Sequence, residues 1–215
     1  MRSTVTVART AIAVVRTTAT PLRATVTPPC TTATSGMPRI VVNPCRNAAP
    51  DPPPQHYAGG RHPDAPGVGA EDIYRIYFHG PAYQVMESAW RSGDGVAGRM
   101  ADALPPDHQP QDRPTLMEPR LIELCFQTAG VGELGTHGKM ALPLHVDRVS
   151  RLRPGNGGRL TAVARTREDD GAVDADVVDD EGNLYVTLTG YRTVELPGGI
   201  DPERLAPLQA AMGAL

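Results

Sequence analysis

Two hydrophobic periods divide the chain beyond residue 67. Between Leu116 and Gly130 apolar side chains fall at 121, 122, 124, 125 and 126, with no proline after Pro119, a spacing that predicts a helix. Pro119 sits in its first turn, where a missing N–H is tolerated, and Gly130 marks its expected end. The nearly continuous apolar character predicts a helix wrapped by other structure. From Leu142 onward the period is two. Leu142–Leu152, Arg159–Arg167, Ala172–Asp179 and Leu184–Leu196 alternate apolar and polar residues. Turn-forming runs separate them: Pro154-Gly155-Asn156-Gly157-Gly158, Asp169-Asp170-Gly171 and Asp180-Glu181-Gly182-Asn183. Upstream, residues 84–91 and 95–104 read as two extended segments joined at Ser92-Gly93-Asp94-Gly95. A short amphipathic stretch, Asp72–Tyr77, and a Gly80-Pro81 break precede them, and residues 105–114 read as a proline-rich loop.

Two strands, one buried helix and four further antiparallel strands pack most economically as a curved antiparallel sheet wrapped around the helix. That α+β arrangement is the hotdog fold, expected over residues 67–200. Asp201 as a cap and Pro202 at the first position predict a short C-terminal helix or linker over 201–215.

Residues 1–66 show neither period. They hold half of the 22 prolines and seven arginines against two acids, Asp51 and Asp64, a local charge of +5; residues 67–215 carry −8. Such a stretch cannot build a core and is expected to be a disordered or mistranslated extension. Arg2, Arg9 and Arg16 would share one face of a helix and imitate a transit peptide, but the disordered reading is the better one. No early apolar run approaches the roughly 20 residues that span a bilayer. The three cysteines, Cys30, Cys45 and Cys125, are too widely spaced for a disulfide framework or zinc site. The acidic body argues against nucleic acid as a partner, and a cytoplasmic location without membrane contact is expected.

Tyr77-Phe78-His79-Gly80-Pro81-Ala82-Tyr83-Gln84 resembles the Tyr-Gly-Pro-x-Phe-Gln segment of dehydratase domains in modular polyketide and polyunsaturated fatty acid synthases. Pro119-Arg120-Leu121-Ile122-Glu123-Leu124-Cys125-Phe126-Gln127 resembles the His-Pro-x-Leu-Leu-Asp-x-x-x-Gln helix of the same family. Leu142-Pro143-Leu144 and Val177-Val178-Asp179-Asp180-Glu181-Gly182 match two later segments, all four in order over residues 72–196. These dehydratases are double hotdogs, and the chain resembles their C-terminal half.

The resemblance implies loss of water from a 3-hydroxyacyl thioester carried on the phosphopantetheine arm of acyl carrier protein. In the family a histidine of the N-terminal hotdog removes the α-proton, and an aspartate on the C-terminal hotdog's helix protonates the departing hydroxyl. Glu123 stands at the aspartate's position, with Gln127 four residues on as its support. An acid between Ile122 and Leu124 is costly to bury without a role, although an exposed helix position is the plainer alternative. His79, where the family more often has tyrosine, is expected to shape the pocket with Gly80, Pro81 and Tyr83, or else to be a turn histidine bonded to backbone. Tyr83 and Phe126 read as wall or core, and Cys125 as a small buried apolar residue. The family's base motif is His-x3-Gly-x4-Pro; His56, Gly60 and Pro66 miss it by one place and are taken as coincidence. His108, His137 and His145 show no partner pattern. The expected enzyme therefore needs no metal or redox cofactor. Its partners would be acyl carrier protein and an N-terminal hotdog half, a synthase domain or a second copy, and alone it would be inactive. The competing readings are a non-catalytic acyl-binding or scaffold hotdog of a synthase, and a homodimeric hotdog acyl thioesterase.

Overall fold

The computed structural model describes residues 67–107, 117–155 and 158–213. The N-terminal extension, His56 and His108 lie outside the described residues. The first two long strands, β2 (Met86–Ser92) and β3 (Gly95–Met100), form the hairpin expected at Ser92–Gly95, with Gly93 supplying the positive φ of 60° that its tight turn needs. A three-residue strand, β1 (Gly67–Gly69), lies along the outer edge of β2 and leads into a short helix, α1 (Ala70–Tyr74). A 3-10 turn, Pro81–Tyr83, then feeds β2.

The central helix α2 (Glu118–His137) is followed by β4 (Ala141–His145), β5 (Arg148–Arg151), β6 (Leu160–Thr166), β7 (Val173–Asp179), β8 (Leu184–Glu195) and α3 (Pro202–Met212). The strands make one antiparallel sheet in the order β1-β2-β3-β6-β7-β8-β4, with β5 also on β8. This is the hotdog arrangement: the sheet holds α2 against β3, β6 and β7. Leu121, Leu124, Val131 and Leu134 of α2 are buried there, each contributing about 1.5–3 kcal/mol by leaving water. The middle of the sheet is built of small residues, Gly98 paired with Ala162 and Ala164 with Ala175, and a Cβ on Gly98 would run into Thr128 of α2. Helix and sheet therefore meet at close range.

Expected boundaries move: the segment expected over 95–104 stops as a strand at Met100, and the entry helix lies at Ala70–Tyr74 instead of Asp72–Tyr77. The central helix does not stop at Gly130 but runs seven residues further, to His137, and ends on Gly138 at φ 70°, whose N–H donates to Leu134 C=O at 2.8 Å. Gly130, Gly132 and Gly135 are contact points instead. Side chains there would collide with the Tyr77 hydroxyl, with Val96, and with Met212 and the Leu208 backbone, respectively. The strand expected over Leu142–Leu152 is broken at Val146-Asp147 into β4 and β5, both paired with β8. The break faces Gly190, whose φ of 67° and close approach to Asp147 interrupt the ladder. Asp201 caps α3 as expected, accepting the Glu203 N–H at 3.0 Å. Leu205, Leu208, Ala211 and Met212 of α3 are buried, and the helix packs on α2.

No helix among the described residues is long and apolar enough to cross a membrane.

Candidate functional site

The first half of α2 sets Glu123 and Gln127 one turn apart, and the two side chains meet: Gln127 Nε2 donates to Glu123 Oε1 at 3.0 Å. Gln127 is 2% exposed, so its amide must find partners inside the protein. Its Oε1 accepts the Tyr74 hydroxyl proton at 2.7 Å, and its Nε2 also donates to the Tyr83 C=O at 2.8 Å. Tyr83 offers only an acceptor there, which fixes which end of the amide is nitrogen. The Tyr74 hydroxyl in turn accepts the Met86 N–H at 2.8 Å. One buried amide thus ties together α1, the 3-10 turn, the start of β2 and α2.

His79 completes the group. Its Nε2 lies 3.0 Å from Glu123 Oε1, with side-chain exposures of 21% and 24%. The ring stacks on Phe78 at 5.6 Å with 6° between planes, and Tyr77 and Tyr74 lie at 5.5 and 6.4 Å. The His79 carbonyl accepts Gln84 Nε2 at 3.0 Å, while ring Nδ1 is buried without a hydrogen bond. The ring lies directly on Glu123. Gly80 and Pro81 build the turn that follows, where the Tyr83 N–H donates to the Gly80 C=O at 2.8 Å. They place the Tyr83 carbonyl over Gln127. The Tyr83 hydroxyl points elsewhere, 3.3 Å from Asp107 Oδ2.

Burial is the main force on the phenols here. It pushes the Tyr74 hydroxyl far above the usual tyrosine range; the Met86 N–H pulls it back and the Glu123 charge adds to the rise. Tyr77 is raised by burial and then by the Glu133 and Glu123 charges. Tyr83 is raised by burial and then by Asp107. Each therefore keeps its proton, and Tyr74 and Tyr83 serve as donors. The Cys125 thiol is fully buried and pushed up by that burial, as suits a packing residue on the core side of α2. Phe126 packs on Tyr191, their ring centres 4.8 Å apart.

Tyr74, Asp107 and Arg120 were not anticipated. Arg120 is 3% exposed, donates to the Pro105 C=O and lies 3.8 Å from Asp107. Nothing local in the sequence marks Tyr74, because its partner Gln127 is 53 residues away. His145 lies on exposed β4 with Asp147 at 2.9 Å, and His137 is the last residue of α2. Two surface cavities, of about 300 and 330 Å³, open on Phe78, Leu196 and Arg204 and on Glu133, Lys139 and Glu195; neither is lined by Glu123. Among the described residues no group of three His, Cys, Asp or Glu side chains could hold a metal ion.

Residues 48–203 match the family model described as the polyketide synthase dehydratase N-terminal domain. The chain belongs to the polyketide synthase dehydratase family. That description names the N-terminal domain, whereas the motif order resembles the C-terminal half. Polyketide synthase ThaG of Burkholderia thailandensis is 29% identical over 136 residues, covering 59% of this chain and 2% of that protein. The chain is similar in fold to the dehydratase domain from the CurF module of curacin polyketide synthase, with 24% identity and a TM-score of 0.50 over 60% of this chain and 48% of that one. It is likewise similar to a structure bearing on dehydratase substrate selection for the borrelidin and fluvirucin polyketide synthases, with 23% identity and a TM-score of 0.51 over 72% and 53%. The chain thus spans about half the length of these solved relatives and a small fraction of the synthase.

Proposed function

We propose that this dehydratase-family hotdog supplies the acid half of a synthase dehydratase, converting 3-hydroxyacyl thioesters on acyl carrier protein to trans-2-enoyl thioesters. The observation that carries the reading is the setting of Glu123: Oε1 is held by Gln127 and His79, and Oε2 makes no protein bond among the described residues. A base on a complementary hotdog removes the C2 proton. The C2–H electrons form the C2=C3 bond, the C3–O bond breaks, and the proton on Glu123 leaves with the hydroxyl as water. The base's proton then returns to Glu123 through solvent. Glu123 is about a quarter exposed, so a second hotdog seated over it would also exclude water from the step. Glu123 delivers the proton, Gln127 holds its carboxyl, and Gly80 and Pro81 shape the turn that brings His79 and the Tyr83 carbonyl against them. No cofactor is required beyond the phosphopantetheine arm that presents the substrate.

The test mixes the purified chain with a synthase N-terminal hotdog and a 3-hydroxyacyl carrier protein, and follows the carrier by mass. Loss of one water from the acyl group is expected. An unchanged acyl mass with a folded, bound pair rules the acid role out, and release of free acid instead identifies a thioesterase.

A further inference from the structure

We propose that His79 is the positioning residue for Glu123: its Nε2–H holds Oε1 and so turns Oε2 outward as the oxygen that carries and delivers the proton. This rests on Glu123 being the acid. A lone bond from Gln127 would leave the carboxyl free to turn about its last torsion, which is broad and two-fold. Gln127 has no second donor to spare, because the Tyr83 carbonyl takes the other N–H. His79 supplies the missing constraint from the opposite element, 44 residues away in sequence and 3.0 Å away in space.

The ring's own surroundings say which nitrogen does this. Nδ1 is buried with no hydrogen bond. A proton there would be a buried donor without an acceptor, whereas a bare nitrogen lone pair is the smaller penalty. The ring proton therefore belongs on Nε2, facing Glu123. The ring is also hemmed in. Phe78 lies flat against it, Tyr74 and Tyr77 crowd its edges, and Gln84 holds its carbonyl. Phe78, itself 62% exposed, lies parallel to the ring with centroids 5.6 Å apart.

Long-range proton–nitrogen NMR on the full chain tests the assignment without any need for turnover. His79 is expected as a single Nε2–H tautomer, with that proton shifted downfield by its bond to Glu123 and moving upfield in Glu123→Ala. An Nδ1–H tautomer, or a mixture already present in the unaltered chain, overturns the proposal. The reconstituted dehydratase provides the second reading. His79→Phe, checked for folding by thermal melting, is expected to lower kcat about 10- to 100-fold through misplacement of the carboxyl. KM should stay within about twofold, and His79→Gln, which keeps a donor, should recover most of the rate. Wild-type kcat in His79→Phe overturns the positioning role. If the tautomer is as expected and no enoyl product forms with any variant, the dehydratase reading fails while the hold of His79 on Glu123 stands.

Discussion

His79 meets Glu123 at 3.0 Å and His145 meets Asp147 at 2.9 Å, yet the two pairs occupy opposite kinds of surroundings. The first joins the turn before β2 to the central helix, and each partner is further fixed by neutral groups: the buried Gln127 amide on Glu123, and three aromatic rings and the Gln84 amide on His79. The second is local, two residues apart at the break between β4 and β5, with both side chains about half exposed. Asp147 is also shared with Arg192 at 3.3 Å and Arg167 at 3.7 Å, while Asp170 lies 3.0 Å from Arg167. Charges on that surface can trade partners and are screened by salt. The comparison teaches that separation alone does not distinguish a chemical pair from a solvated one. What distinguishes them is whether the neighbours leave either partner another place to go.

The largest expected effect lies on the buried side. Glu123→Gln removes the transferable proton but keeps the shape, so turnover of the reconstituted enzyme should fall at least about 100-fold. Its thermal midpoint should stay within about 4 °C; undiminished turnover would place the chemistry elsewhere. Gln127→Leu comes next, measured by denaturant unfolding. It strands the Tyr74 hydroxyl and the Tyr83 carbonyl in the interior and should cost about 2–4 kcal/mol. A cost below about 1 kcal/mol would mean that water replaces the amide.

On the exposed side, Asp147→Ala should cost less than about 1 kcal/mol, and the difference should vanish in high salt. A cost matching that of Gln127→Leu would erase the contrast between the pairs. The smallest effect is on acidification. Asp170 is held below its ordinary value of 3.8 first by the Ala172 N–H and then by the Arg167 and Arg192 charges. Its contribution is complete above that value and fades as pH falls through the lowered one. Melting temperatures below about pH 4 should therefore decline slightly less steeply in Asp170→Asn than in the unaltered chain.

Local pattern carried the β2–β3 hairpin and the strands β6, β7 and β8, the cap at Asp201 and the place of Pro119 in the first turn of α2, because each follows from spacing or from one residue's conformational preference. It also placed Glu123 and Gln127 on one face, since four residues is nearly one turn. It misread Gly130. In isolation a glycine after an apolar helical run marks an end, but here Gly130, Gly132 and Gly135 are spaced to admit Tyr77, β3 and α3. Their backbone cost of about 1 kcal/mol each is recovered in packing that only the assembled fold reveals. The Tyr74–Gln127 bond and the placement of His79 were illegible for the same reason. Both depend on how a segment near residue 77 docks on a helix some 45 residues later, which no local period encodes. The break at Asp147 is of this kind too, set across the sheet by Gly190.

The Met86 N–H deserves a last consequence, because it donates to the Tyr74 hydroxyl, and through it to Gln127 and Glu123. Its hydrogen can exchange with solvent only when the bond to Tyr74 opens. The Met86 amide is therefore a built-in gauge of site integrity. Its exchange rate in a variant, or on docking of a second hotdog, reports whether Tyr74 is still seated beside Gln127 before any substrate is added.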